Sequence, residues 1–346
     1  MVQGAHFENS ESCFLWSETY WDNFEHQVRK RALAASTDAE SWKIIVNACR
    51  KVMSHYTTSF FIVSRFLPLL KRQMVEVVYA AVRYPDEVVD TFPIDQEERC
   101  ARLDIWEEAY KRGLSFDTIS DALQAGVPAF LAAFARVVRE KNIPPEHYTS
   151  FLSAMRHDIT PMPFMTLEDL IENYVYGSAI VVGYFLAYVY GPSGPDRMND
   201  VLACSRDLGI ALQLTNFLRD VYEDQQRGRL YLPLDMLRSV GAESGDTGIL
   251  GDLKKPSNRR KVQDVIQRMT KVAEGYYQKA SARLDAFSPD CRVAIKACID
   301  VYGKLNDRIA ASPDCIGRRE SVPMHVKFCV LPPGKYWRLP LALLGW

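Results

Sequence analysis

Two short stretches hold carboxylates at a spacing suited to binding a divalent metal ion. In Asp86-Glu-Val-Val-Asp90 two aspartates lie four residues apart, and Asp220-Val-Tyr-Glu-Asp224 repeats the arrangement. On a helix, residues four apart share one side, separated by about 6 Å of axial rise. Acids so placed repel each other unless a cation lies between them. Magnesium suits the position, because it takes one or two protein carboxylates and fills its sphere with waters and phosphate oxygens. Arginines accompany both pairs: Arg83 precedes Asp86 by three residues, and Arg227 and Arg229 follow Asp224. A guanidinium matches a phosphate bidentately. Gln213 and Asn216 share the helix face that leads to Asp220. Glu87 and Glu223 adjoin the motif acids but turn about 100° away on a helix. One such pair is ordinary solvated surface. Two pairs, each closing an apolar helix and each with arginine, predict two acidic walls facing a cavity that holds a diphosphate through several magnesium ions.

The elements that must position these residues are helices. Leu212, Leu214, Phe217, Leu218 and Val221 recur at helical spacing ahead of and into the second pair, and the stretch from Val75 to Asp90 is mostly apolar. Gly228 permits a turn and Pro233 ends any helix reaching it. Prolines at 93, 144, 145, 161, 163, 192, 195, 256 and 289 separate apolar stretches of helical length, with no alternating strand blocks and no internal repeat. The expected fold is therefore all-α. A helix from Leu15 to Ala35, rich in Trp and Tyr, forms an extension over 1–40. The main helical domain runs over 41–330, and 331–346 form an apolar, aromatic tail. Within the helix from Leu167 to Tyr190, Gly177, Ser178, Ala179 and Gly183 put small residues mid-helix, where glycine costs about 1 kcal/mol relative to alanine. Close helix packing and a cavity wall with room for a long hydrocarbon both explain them.

Composition narrows the function. The 346 residues are 48% hydrophobic with a formal net charge of −1. That supplies one large core and argues against a nucleic-acid binder, which is ordinarily basic. No glycine-rich dinucleotide fingerprint, GxxxxGKS/T loop or HExxH occurs. Eight cysteines without CxxC pairing fit free thiols in a reducing cytoplasm. The N-terminus has no secretory pattern, and no run of about 20 apolar residues is present to span a bilayer.

The two aspartate motifs, with Gln213-Leu-Thr-Asn216 before the second and Arg227-Gly-Arg-Leu-Tyr-Leu-Pro233 after it, resemble those of the squalene/phytoene synthase family. The resemblance extends through Ser59-Phe60-Phe61, Arg65-Phe-Leu-Pro68, Tyr174-Val-Tyr-Gly-Ser-Ala-Ile-Val-Val-Gly183 and Arg318-Arg319 with Ser321-Val-Pro323. It implies a single-domain, isoprenoid-synthase-type helical bundle around an apolar cavity. It also implies head-to-head condensation of two prenyl diphosphates through a cyclopropylcarbinyl diphosphate. The tail of the second motif favours two geranylgeranyl diphosphates and phytoene. Two farnesyl diphosphates, giving squalene or dehydrosqualene, are the alternative, with NADPH needed only for squalene. By the same resemblance Asp86, Asp90, Asp220 and Asp224, with Asn216, hold Mg2+ or Mn2+. Arg83, Arg227 and Arg229 meet diphosphate, Gln213 and Asn216 orient it, and Tyr174 contacts substrate. Tyr56, Ser59, Phe60, Ala179 and Gly183 complete the candidate substrate site, while Asp158 matches an aspartate the family often carries, although an aspartate near a helix end ordinarily caps it.

Three positions depart from the family pattern: Thr58 replaces a basic residue, Pro85 directly precedes Asp86, and Ile180 stands where glycine is frequent. Pro85 is expected to kink its helix. Other readings are a non-catalytic relative acting as a scaffold, against which the four intact aspartates argue, and a helical terpene cyclase, which would carry a different tail motif. The tail, with Trp and Tyr beside Lys335 and Arg338, suggests peripheral contact with a membrane surface.

Overall fold

A computed structural model describes residues 16–244 and 249–323. Among the described residues fourteen α-helices follow one another: α1 (Glu18–Leu33), α2 (Asp38–Tyr56), α3 (Thr58–Ser64), α4 (Leu69–Asp90), α5 (Gln96–Gly113), α6 (Ile119–Gln124), α7 (Ala129–Lys141), α8 (Glu146–Ile159), α9 (Leu167–Tyr190), α10 (Met198–Arg219), α11 (Val221–Gln226), α12 (Leu234–Ser239), α13 (Pro256–Ala282) and α14 (Pro289–Ala311). Among the described residues the β pairings are two isolated bridges, Pro192 with Phe287 and Ser244 with Leu250. The expected all-α architecture is what the chain forms.

Local chemistry sets several helix starts. Ser17, Thr37, Asp95, Thr118 and Thr166 each accept a hydrogen bond from a backbone N–H in the first turn that follows. Each such cap contributes about 1 kcal/mol. Asn142, at φ 51°, ends α7, and Gly191, at φ 73°, ends α9.

The core sits where α4, α7, α8 and α9 meet. Tyr148, Phe130, Phe134 and Phe185 are fully buried there. Helix α10 lies against α9 on one side and α13 on the other. The extension helix α1 covers α2, α6 and α7, seating Trp21 at zero exposure.

Two local features differ from the sequence expectations. The middle of α9, Ile171–Ile180, is π-helical, which widens the turn and shifts which side chains share a face. The helix expected to run through the second acidic pair breaks at Asp220 (φ −107°, ψ 14°) and restarts as α11. Pro85 sits inside α4, and the helix continues through it to Asp90. Helix α9 also qualifies the expectation about membrane spans. By length and composition its 24 residues could cross a bilayer, but half of its apolar stretch is buried in the bundle. The tail 331–346 lies outside the described residues.

Candidate active site

Helices α4, α8, α9 and α10 enclose a cavity of about 310 Å³, and the segment after α10 closes one side. Tyr79, Val82, Arg83, Asp86 and Asp90 come from α4. Phe151, Met155 and Asp158 come from α8, and Tyr174, Ser178 and Val182 from α9. Gln213, Asn216 and Phe217 project from α10, followed by Asp220, Asp224, Arg227, Arg229 and Tyr231. One part of the wall is apolar and aromatic; the other collects acids and arginines.

The two acidic pairs are tied together across this mouth. Arg229 Nη1 lies 2.7 Å from Asp90 Oδ1, and Arg227 Nη1 donates to Asp90 Oδ2 at 3.1 Å. Arg229 also donates to the backbone carbonyl of Asp158 at 3.2 Å. On the first wall Arg83 donates to Asp86 Oδ2 at 2.6 Å, pairs with buried Glu87 and lies 4.1 Å over the Tyr56 ring. Glu87 thus holds the arginine from behind.

Asp220 is gripped by Arg219 Nε at 2.8 Å and Arg319 Nε at 2.7 Å. Burial pushes its carboxyl up, but these two guanidiniums outweigh burial and hold it below the usual range. Its partner differs. Asp224 makes no side-chain hydrogen bond or salt bridge among the described residues, and burial together with Asp220 and Asp90 pushes it up to about 7, against the pull of Arg229 and Arg227. Asp86 is pushed up to about 6, first by burial and then by Asp90, Glu87 and Asp158, with Arg83 opposing.

Behind the acids lies a polar aromatic knot. The Asp158 carboxylate accepts from Tyr174 Oη at 2.5 Å and Tyr231 Oη at 2.8 Å. Tyr231 stacks on Phe217 with ring centroids 4.1 Å apart and on Tyr174 at 5.1 Å. Asp158 is therefore a buried acceptor in the site, which corrects the helix-cap expectation.

Some expected substrate residues lie elsewhere. Gly183 faces α10, where a Cβ would meet Ser205 O at 3.1 Å, and the backbone carbonyl of Ala179 lies beside Gly209. Gly177 packs on α8, where a Cβ would stand 2.6 Å from Ser150 O. The small residues of α9 permit close helix approach, while Tyr174, Ser178 and Val182 present the cavity wall. Tyr56 stacks on Arg83 behind the wall, and Phe60 lies 6.2 Å from Tyr79, ring to ring. Ser59 and Thr58 belong to α3, but their side chains lie outside the described residues. Residues not anticipated as site members include Tyr231, Arg219, Arg319, Tyr79 and Phe217. The motif tail pointed toward Tyr231 and the C-terminal arginine pair toward Arg319; the others left no sequence signal.

No group of three or more acidic, His or Cys side chains stands ready to hold a metal among the described residues. The donors present still fit a hard cation. They are carboxylates: Asp90 is held by arginines that a phosphate could draw away, and Asp224 is crowded by negative charge. Such a site suits an ion that arrives with phosphate oxygens as its remaining ligands.

A family model described as squalene/phytoene synthase matches residues 53–326. The chain belongs to the squalene/phytoene synthase family. This makes it a prenyltransferase-type enzyme. Among family members it is 32% identical to the 15-cis-phytoene synthase of Enterobacter agglomerans, over 79% of this chain and 89% of that one. It is 29% identical to the 15-cis-phytoene synthase of Synechococcus elongatus, over 87% and 94%. A solved dehydrosqualene synthase superimposes with a TM-score of 0.68 at 22% identity, covering 88% of this chain and all of the other. The squalene/phytoene synthase family model begins within α2, so α1 precedes the matched region.

Proposed function

We propose that the chain condenses two geranylgeranyl diphosphates head to head, releasing diphosphate and forming phytoene through a cyclopropylcarbinyl diphosphate. The observation that carries this is the convergence of Asp86 and Asp90 with Asp220 and Asp224 over one cavity, bridged by Arg229 and Arg227. The similarity to 15-cis-phytoene synthases over most of both chains supports the substrate class.

In this reading Asp86 and Asp90 hold metal for one diphosphate, and Asp220 and Asp224 for the other, with Asn216 beside them. Magnesium, or manganese in its place, would neutralise the diphosphate and so favour breaking of the allylic C–O bond. Arg227 and Arg229 exchange Asp90 for phosphate oxygens as substrate arrives. Arg83 holds Asp86 in place. Phe151, Met155, Val182 and Phe217 keep water from the allylic cation. The rings of Phe217, Tyr231 and Tyr174 offer electron-rich faces to positive charge. The aligned aromatic wall holds the second double bond near the cation, so that bond formation competes with capture by solvent.

Because the product is an oil that partitions into lipid, we place the enzyme in the cytoplasm at a membrane surface. Deleting Pro332 to Trp346 should then lower partitioning onto liposomes, and unchanged partitioning removes the tail from that role.

The test of function is incubation of the purified protein with magnesium and geranylgeranyl or farnesyl diphosphate, with and without NADPH, and mass spectrometry of the hydrocarbons. Phytoene from geranylgeranyl diphosphate without NADPH is expected. Squalene or dehydrosqualene from farnesyl diphosphate alone would move the reading to the shorter substrate. No hydrocarbon from either would favour a non-catalytic scaffold.

A further inference from the structure

Pro85 lies inside α4, one residue before Asp86. A proline has no N–H, so Ala81, four residues earlier, loses its helical hydrogen-bond donor. A buried carbonyl left without a donor is costly. The structure supplies a donor from another helix. Tyr148 Oη, on α8, donates to Ala81 O at 2.6 Å. The same Oη accepts from Trp106 Nε1, on α5, at 2.7 Å. Tyr148 is fully buried, and the Trp106 ring lies 4.2 Å from that of Tyr84, the residue before Pro85. A two-bond chain from α5 through α8 thus ends on the one carbonyl that the proline leaves free. The indole that starts the chain also packs on the neighbouring turn.

We propose that Tyr148, supported by Trp106, is a positioning residue for the first acidic pair: it replaces the hydrogen bond that Pro85 withholds from Ala81 and so fixes the last turn of α4, with Asp86 and Asp90, against Asp224 and Arg229. Tyr148 touches no substrate; it acts through the backbone of α4. Its link to metal binding rests on the proposed diphosphate reading, whereas its link to Pro85 does not.

The experiment is a double-mutant cycle on the full chain with Tyr148→Phe, Pro85→Ala and both together. Tyr148→Phe keeps the ring and removes only the hydroxyl, and alanine at 85 restores an N–H that reaches Ala81 O. Two quantities are read: the melting temperature without metal, and the magnesium concentration giving half-maximal turnover. Tyr148→Phe alone loses the bond from Trp106 as well, and should lower the melting temperature; it should raise the half-saturating magnesium about fivefold, the effect of the one ordinary hydrogen bond to Ala81 O, while turnover at saturating magnesium stays within about twofold. In the Pro85→Ala background the magnesium effect should shrink to less than half, and the melting-temperature effect should shrink to the part owed to the bond from Trp106. If Tyr148→Phe is insoluble, rescue of solubility by Pro85→Ala is the supporting result and failure of rescue overturns the proposal. Equal effects in both backgrounds also overturn it, as does a lowered melting temperature with unmoved magnesium dependence. A wild-type protein indifferent to magnesium would defeat the diphosphate reading instead, and the melting temperatures would still decide whether Tyr148 serves Pro85.

Discussion

Arg229 Nη1 stands 2.7 Å from Asp90 Oδ1, joining the segment behind the second acidic motif to the last residue of the first. The arginine is almost fully buried and also reaches the Asp158 carbonyl. Removing one partner of a buried ion pair leaves an uncompensated charge, which costs about 3 kcal/mol. Arg229→Ala should lose that much stability in urea denaturation, and, on the proposed role of Arg229 in meeting diphosphate, turnover should fall at least about a hundredfold. Arg229→Lys should recover part of the stability and little of the turnover, because an ammonium cannot span both acceptors.

The acids with raised carboxyls give the metal-free protein a defined response to pH. Asp224 is held up at about 7 and Asp86 at about 6, both above an ordinary carboxyl. The folded state therefore binds more protons than the unfolded chain between about pH 4 and 7, and the stability these groups contribute is present at low pH and lost as pH rises through that window. Asp224→Asn should match the wild type in stability near pH 4 and exceed it near pH 7.5 without metal. Thermal melts across that range check this. Asp220 behaves in the opposite sense: its lowered carboxyl contributes stability at neutral pH that disappears on acidification.

Tyr174 and Tyr231 both donate to the Asp158 carboxylate, which has no exposure to spare. Tyr231→Phe keeps the stacking on Phe217 and removes one donor from a buried acid. A loss of about 2 kcal/mol is expected in chemical denaturation. Combined with Asp158→Asn, the tyrosine substitution should cost much less, because the acceptor it serves is then neutral.

Gly177 and Gly183 serve packing of α9. An added Cβ would stand 2.6 Å from Ser150 O and 3.1 Å from Ser205 O respectively. Gly177→Ala should destabilise by at least about 2 kcal/mol, and Gly183→Ala by less. Neither should alter hydrocarbon chain length. Enlarging Ser178 or Val182, which line the cavity, should do so. Product analysis of Ser178→Phe against Gly183→Ala separates the two roles.

The acids, their arginines and the all-α fold were legible in the sequence because each leaves a local signature: a four-residue spacing, an adjacent guanidinium, a helical apolar period. What was not legible depends on contacts between distant segments. Asp158 looks like a cap until α9 and the motif tail bring Tyr174 and Tyr231 to it, 16 and 73 residues away. Arg319 meets Asp220 across 99 residues. Within α9 the sequence left close packing and a cavity wall as equal readings of the small residues; Gly177 and Gly183 lie close against α8 and α10, and Ser178 lines the cavity. The helix break at Asp220 carries no glycine or proline to announce it. Pro85 was visible in the sequence, but the hydrogen bond that Tyr148, 67 residues away, donates to Ala81 O was not.

The central claim is that the four aspartates act together on a metal-bound diphosphate. Its most direct test is the paramagnetic resonance signal of Mn2+ titrated into the protein with and without a non-ionisable thiolo analogue of geranylgeranyl diphosphate. Manganese should bind tightly only when the analogue is present, and Asp86→Asn or Asp224→Asn should each abolish part of that binding. Analogue-dependent binding that is identical in the wild type and in both variants would contradict the account.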